Sequence, residues 1–146
     1  MEKKLIAKVL LVDDEEDFVR VLAERLEVRG LEVFTANRGL EAVEMVGRQG
    51  FDIVVLDLAM PGMDGLETLK KIKDHDPDIE IVMLSGKGTM RSGVDAIKSG
   101  AEDFLEKPVD LAVLLEKIEE AKERRLLTLQ RKASEKVSEI LEKKGW

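Results

Sequence analysis

Phe51-Asp-Ile-Val-Val-Leu-Asp57-Leu-Ala-Met-Pro-Gly-Met-Asp-Gly65 decides the fold of this chain. Residues 53–56 form an unbroken apolar run, mostly β-branched, that ends on an acid and is soon followed by the turn formers Pro61 and Gly62. A run this short, with no polar alternation, reads as a strand covered on both faces, as in parallel sheets. Asp57 then stands at the C-terminal edge of that strand. An ionised carboxylate there is costly unless other groups compensate it, so the rest of the sequence has to supply partners.

Outward from this stretch, short apolar runs alternate with helical periodicity. Residues 9–12 read as a strand, and residues 16–29 as a helix with Phe18, Leu22 and Leu26 inward and Gly30 as its stop. A strand at 31–36 and a helix at 38–48, with Ala42, Val43 and Val46 inward, complete the N-terminal half. Beyond Asp57 come a helix at 66–74 carrying Leu66, Leu69 and Ile72, a break at Pro77, and a strand at 79–84. A short helix at 89–99 stops at Gly100, a brief strand at 103–106 precedes Pro108, and Asp110 is placed to cap a final helix. Five strands alternating with five helices through short loops predict a parallel sheet covered on both faces.

The final helix outgrows the domain. No Gly or Pro occurs from 110 to 144, so a single helix would run about 50 Å, against about 30 Å for the width of a small domain. Leu111, Leu114, Leu115, Ile118 and Ala121 can cover the sheet. Leu126, Leu129, Ala133, Val137 and Ile140 form a second apolar stripe, which either folds back on the domain or pairs with another chain as a homodimer. Lys136 and Lys143 interrupt a strict heptad seam. The expected division is a compact domain over 1–125 and a helical extension over 126–146.

At 146 residues the chain holds one domain, and its net charge of −7 repels nucleic acid. Without cysteine there are no disulfides and no thiolate metal sites. Lys8 interrupts any signal-peptide core, and no apolar run approaches the roughly 20 residues of a membrane span. The expectation is a cytoplasmic protein that binds neither nucleic acid nor membrane.

In open parallel sheets, ligands sit outside the carboxyl ends of the strands. Here those ends carry Asp13 and Asp14, then Asp57, Ser85 and Lys107. Acids also gather at helix N-termini for dipole reasons, which accounts for Glu16 and Asp17 but not for the two acids directly after the strand. Three clustered carboxylates call for a cation, and oxygen-only ligation suits Mg²⁺, whereas the twelve-residue loop of a Ca²⁺ site is missing. Lys107, which alone would be a surface charge before Pro108, then offers an ammonium to a carboxylate or a phosphoryl group, and Ser85 a hydroxyl.

Asp13-Asp14, the stretch from Asp57 to Gly65, Ser85, and Phe104-Leu-Glu-Lys107-Pro108 together resemble the receiver domain of two-component response regulators, over about residues 9–121. The resemblance implies a flavodoxin-like fold with strand order 2-1-3-4-5. It implies that Asp57 accepts a phosphoryl group from a sensor histidine kinase, and that Asp13, Asp14, Asp57 and the backbone carbonyl of Ala59 hold Mg²⁺. Ser85 and Lys107 would contact the phosphoryl oxygens, a cis Lys107-Pro108 bond would aim the lysine inward, and Ser85 with Phe104 would report the state to a downstream partner or output domain. Phe104 stands where many members have Tyr, so only its ring position can carry the signal. Such a protein is not an enzyme acting on other substrates; it catalyses its own phosphorylation and dephosphorylation.

Two other readings share parts of the pattern. A Mg²⁺-dependent phosphohydrolase with an aspartyl-phosphate intermediate usually wants a second acid two residues after the nucleophile, where this chain has Ala59. An interaction scaffold that never accepts phosphate has no use for all five site residues. Lys87 is expected at the rim, influencing phosphoryl lifetime, and His75 is expected to be a solvated loop histidine. The chain is expected to be either a single-domain regulator or the receiver and linker of a longer one.

Overall fold

The computed structural model describes residues 6–58, 64–86 and 90–143, with the side chains of residues 90–92 left aside. Strands β1 (Lys8–Val12), β2 (Glu32–Ala36), β3 (Ile53–Asp57), β4 (Glu80–Ser85) and β5 (Asp103–Glu106) alternate with helices α1 (Glu16–Val28), α2 (Gly39–Arg48), α3 (Gly65–His75), α4 (Met90–Lys98) and α5 (Leu111–Lys143). The strands pair in parallel in the order β2-β1-β3-β4-β5. This is the expected doubly wound sheet. Connections leave β1 and β3 in opposite directions across the sheet, so the crevice where ligands bind in such folds opens between their C-terminal ends.

All five residues of β3 and all six of β4 are buried. The two-residue period of a strand divides them between two cores. Val54, Leu56, Ile81 and Met83 face α2, α3 and α4, where Ala42, Val46, Leu69, Ile72 and Ala96 meet them. Ile53, Val55, Val82 and Leu84 face α1 and α5, against Leu22, Leu26, Leu114 and Ile118. Burying each such side chain contributes about 1.5–3 kcal/mol, and truncating one to Ala typically costs about 2–5 kcal/mol. Asp110 caps α5 as expected, its Oδ1 accepting from the Ala112 N–H at 2.9 Å. Gly30 and Gly100 end their helices at φ of 89° and 111°, where any side chain would be strained.

Phe18 shares the inward face of α1 with Leu22 and Leu26 as expected but packs half-buried against the rim of the core toward the carboxyl edge, while Val19, Leu22, Ala23 and Leu26 fill it. Of the two courses open to the C-terminal stripe, folding back is not taken: α5 is one helix of 33 residues, exposed at every position from 131 to 143.

Its middle, from residue 122 to 132, is fastened to the domain at the amino edge of the sheet. Lys122 Nζ lies 3.0 Å from Asp52, Arg124 Nε 2.8 Å from Glu80, Arg125 Nη2 3.0 Å from Asp76, and Lys132 Nζ 2.6 Å from Asp78. Nearby, Lys73 reaches Glu102 at 3.4 Å. Burial, together with the adjoining Glu102 carboxyl, pushes Glu80 up to about 7 against the opposing pull of Arg124.

Candidate functional site

The carboxyl edge is built from the first residues the strands release. Asp13 directly follows β1, with its N–H bonded to the carbonyl of Ala36 at 3.1 Å, so the sheet fixes its backbone. Its Oδ1 accepts from the Glu15 N–H at 2.9 Å, closing a tight turn into α1. Asp57 and Ser85 are the last residues of β3 and β4, and both are buried like Asp13. Asp14 is exposed. One carboxylate oxygen from each of Asp13, Asp14 and Asp57 lies within 4.8 Å of the others.

Lys107 is placed by β5, its N–H bonded to the Ser85 carbonyl at 2.8 Å, and its bond to Pro108 is cis as anticipated. Its ammonium lies 2.6 Å from Asp13 Oδ2, 3.0 Å from Glu15 Oε1 and 3.9 Å from Asp57 Oδ2. Burial alone would lower the lysine's pKa. Hydrogen bonds to Asp13 and Glu15 and the charges of Asp13 and Asp57 outweigh that and hold it above its ordinary value, so the group is a permanent cation.

The expected residues Asp13, Asp14, Asp57 and Lys107 therefore converge, and Ser85 occupies the neighbouring strand end. Ala59 and Lys87 lie outside the described residues. Phe104, on β5 beside Met83, is half-buried. A Cβ at Gly93 of α4 would come within 3.2 Å of its ring, so the absence of a side chain there lets helix and ring pack closely. His75 is exposed, as expected of a solvated histidine, but it is the last residue of α3 rather than part of a loop.

Four participants were not singled out by sequence reasoning. At Gly65 a Cβ would stand 2.5 Å from the Asp57 carbonyl oxygen and 2.6 Å from Leu58 Cα, so only glycine lets α3 begin directly against the end of β3. Asp64 caps the same helix, accepting from the Glu67 N–H at 2.8 Å. Glu15, which the sequence leaves without a role, pairs with Lys107, and Phe18, expected in the core, also has its ring centroid 4.4 Å from the Lys107 ammonium. Their signal was distance along the chain: both follow Asp13 closely enough to stay at the same edge. Phe18 also lines a cleft of about 680 Å³ with Val21, Leu22, Lys107, Pro108 and Leu111.

The profile of the response regulator receiver domain matches residues 9–119. The chain belongs to this family. Phosphoryl acceptance on an aspartate, in two-component signal transduction, is the function of receiver domains. The transcriptional regulatory protein ZraR of Klebsiella oxytoca is 40% identical over 113 residues, 77% of this chain and 26% of that protein. The C4-dicarboxylate transport transcriptional regulatory protein DctD of Rhizobium meliloti is 35% identical over 137 residues, 91% of this chain and 30% of that protein. This second match extends well into α5. A solved receiver domain protein of Clostridium thermocellum is 32% identical with a TM-score of 0.80, covering 84% of this chain and 98% of that one. The chain thus spans only about a quarter to a third of these two curated relatives. Among the described residues of this receiver domain, no helix is long and apolar enough to cross a membrane.

Proposed function

We propose that Asp57 is the phosphoacceptor of this receiver domain, and that the chain is a cytoplasmic response regulator module phosphorylated by a sensor histidine kinase. The observation that carries the assignment is the convergence of the buried Asp57 carboxylate with Asp13, Asp14 and Lys107 at one sheet edge. A carboxylate oxygen of Asp57 attacks phosphorus in line, forming the acyl phosphate as the bond from phosphorus to the donor nitrogen or oxygen breaks. Lys107 supplies a fixed positive charge beside the transferring group, and the Ser85 hydroxyl a hydrogen bond to it. Water later cleaves the acyl phosphate and restores the carboxylate.

The donor set fits Mg²⁺, which takes one or two carboxylates and keeps several waters. Asp13, Asp14 and Asp57, with the carbonyl of Ala59, would hold it. Bound there, it supplies positive charge against the phosphoryl oxygens.

Ser85 and Phe104 are assigned as the residues that pass the phosphorylated state to the face formed by α4, β5 and α5. Converting a population from 1:99 to 99:1 takes about 5.5 kcal/mol, within reach of several charge-assisted contacts. Residues 1–125 would form the receiver proper and 126–146 its helical extension. The apolar stripe of Leu126, Leu129, Val137 and Ile140, exposed at 49, 44, 56 and 45%, supports pairing of that extension with a second copy or passage to an output domain.

Incubation with acetyl phosphate and Mg²⁺, followed by intact mass, tests the central assignment. One phosphate adduct per chain is expected, absent in Asp57→Asn. Turnover of phosphate esters with no adduct would mark a phosphohydrolase instead. Sedimentation of the parent against Leu129→Glu and Val137→Glu tests the dimer, which both substitutions should dissociate.

A further inference from the structure

We infer that Glu15, backed by the ring of Phe18, is a latch that parks the Lys107 ammonium away from Asp57 in the unphosphorylated protein and so restrains phosphorylation. This rests on Asp57 being the phosphoacceptor. The three carboxylates around Lys107 are unequally placed: Asp13 at 2.6 Å and Glu15 at 3.0 Å, but Asp57 at 3.9 Å. An ammonium has three donors, and two of them are committed on the α1 side. The Phe18 ring at 4.4 Å adds a cation–π contact on that same side. Moving closer to a phosphoryl group on Asp57 draws the ammonium away from the contacts that hold it toward α1.

Of those contacts, Glu15 is the one without another task at the site. It lies outside the carboxylate cluster of Asp13, Asp14 and Asp57. Although it stands at the N-cap of α1, its side chain makes no capping hydrogen bond there, and it is 63% exposed. Its carboxylate stabilises the parked lysine, and it would repel a phosphoryl dianion that draws the lysine away. Both effects favour the unmodified state. Glu15 is thus a positioning residue acting through Lys107.

The rate of adduct formation, read by intact mass with acetyl phosphate and again with phosphoramidate, tests this. Glu15→Gln should accelerate phosphorylation roughly threefold to fivefold with both donors, the scale of a partly exposed ion pair. Glu15→Asp keeps the charge but loses reach, so it should also be faster than the parent. Glu16→Gln removes the same charge one residue away and should leave the rate unchanged. Unchanged rates in Glu15→Gln would overturn the latch, as would a Glu15→Asp rate equal to the parent's together with an equal acceleration by Glu16→Gln, since simple repulsion of the donor would then suffice. Failure of the parent to form an adduct, or an adduct persisting in Asp57→Asn, would instead overturn the assignment of Asp57. The thermal midpoints of the Glu15 variants should fall by no more than a few degrees, because the pair is partly exposed and no cap is lost.

Discussion

The two ends of the sheet are both crowded with acids, yet they are opposite in character. At the amino edge Asp52, Asp76, Asp78, Glu80 and Glu102 meet Lys73, Lys122, Arg124, Arg125 and Lys132, a carboxylate for each cation. At the carboxyl edge Asp13, Asp14, Glu15 and Asp57 have Lys107 as the one cation among the described residues paired with them. Balanced charge closes a surface, whereas surplus negative charge leaves an edge in want of a cation. The amino edge fixes the direction of α5, and the carboxyl edge is kept out of balance for chemistry. Mutations should therefore destabilise at one end and relieve strain between like charges at the other.

Arg125→Ala should give the largest change. Its side chain is 12% exposed and bridges Asp76 at 3.0 Å and Asp52 at 3.9 Å. Breaking a buried pair strands its partner, but Asp52 keeps Lys122 and Asp76 is partly exposed, so the expected loss is about 2–3 kcal/mol. A urea midpoint that shifts with unchanged slope would measure it. Arg125 Nη1 is buried without a hydrogen-bond partner among the described residues, which already limits what this residue contributes.

Asp57→Asn should do the reverse. With no divalent cation present it removes one of three like charges from a partly buried cluster, and a gain of about 1 kcal/mol is expected. In a chain of this length that raises the thermal midpoint by a few degrees. Added Mg²⁺ should narrow the difference by stabilising the parent more than the variant. A fall in the variant's midpoint would mean that Asp57 is structural, and the contrast between the two edges would fail.

Much of the carboxyl edge is legible in the sequence because packing gives no reason for a charge at the end of an apolar strand. Asp57 and Lys107 stand out for that reason, and the alternation of periods puts them at the same edge. The amino edge is illegible for the complementary reason. Its pairs join residues far apart, 70 positions for Lys122 with Asp52 and 44 for Arg124 with Glu80, and on paper each is an ordinary charge on a helix or near a turn. The position of Phe18 at the rim of the core was not legible because helical spacing shows which residues share a face, not which part of that face covers the sheet. The course of α5 beyond residue 125 depends on those same distant ion pairs, so periodicity alone left both folding back and pairing with another chain open.

Glu80 gives a smaller effect that pH resolves. Burial, reinforced by Glu102, holds its pKa near 7 in the folded protein, above the 4.5 of an unperturbed glutamate. Between those values the folded state keeps a proton that the unfolded state has lost. The parent should therefore lose stability as pH rises from about 4.5 to 7, and level off above. Glu80→Gln, which keeps a hydrogen-bonding side chain for Arg124, should lack that slope. Thermal melts at half-unit pH steps would show whether the two curves converge at low pH, as they must if Glu80 is the titrating group.

Lys132→Ala should be the mildest of these changes, and it tests whether the amino edge acts as separate pairs or as a unit. The lysine is 51% exposed, so its 2.6 Å contact with Asp78 should be worth less than 1 kcal/mol despite the short distance. It is also, among the described residues, the most C-terminal of the ion pairs that α5 makes with the body of the domain, about two turns beyond Arg125. If the pairs are independent, its loss should leave the urea midpoint within about 0.5 kcal/mol of the parent's and speed amide exchange only in the turn around residue 132. If exchange instead quickens back to residue 122, the pairs hold the helix cooperatively. The direction in which the extension leaves the domain would then depend on the whole edge rather than on any single charge.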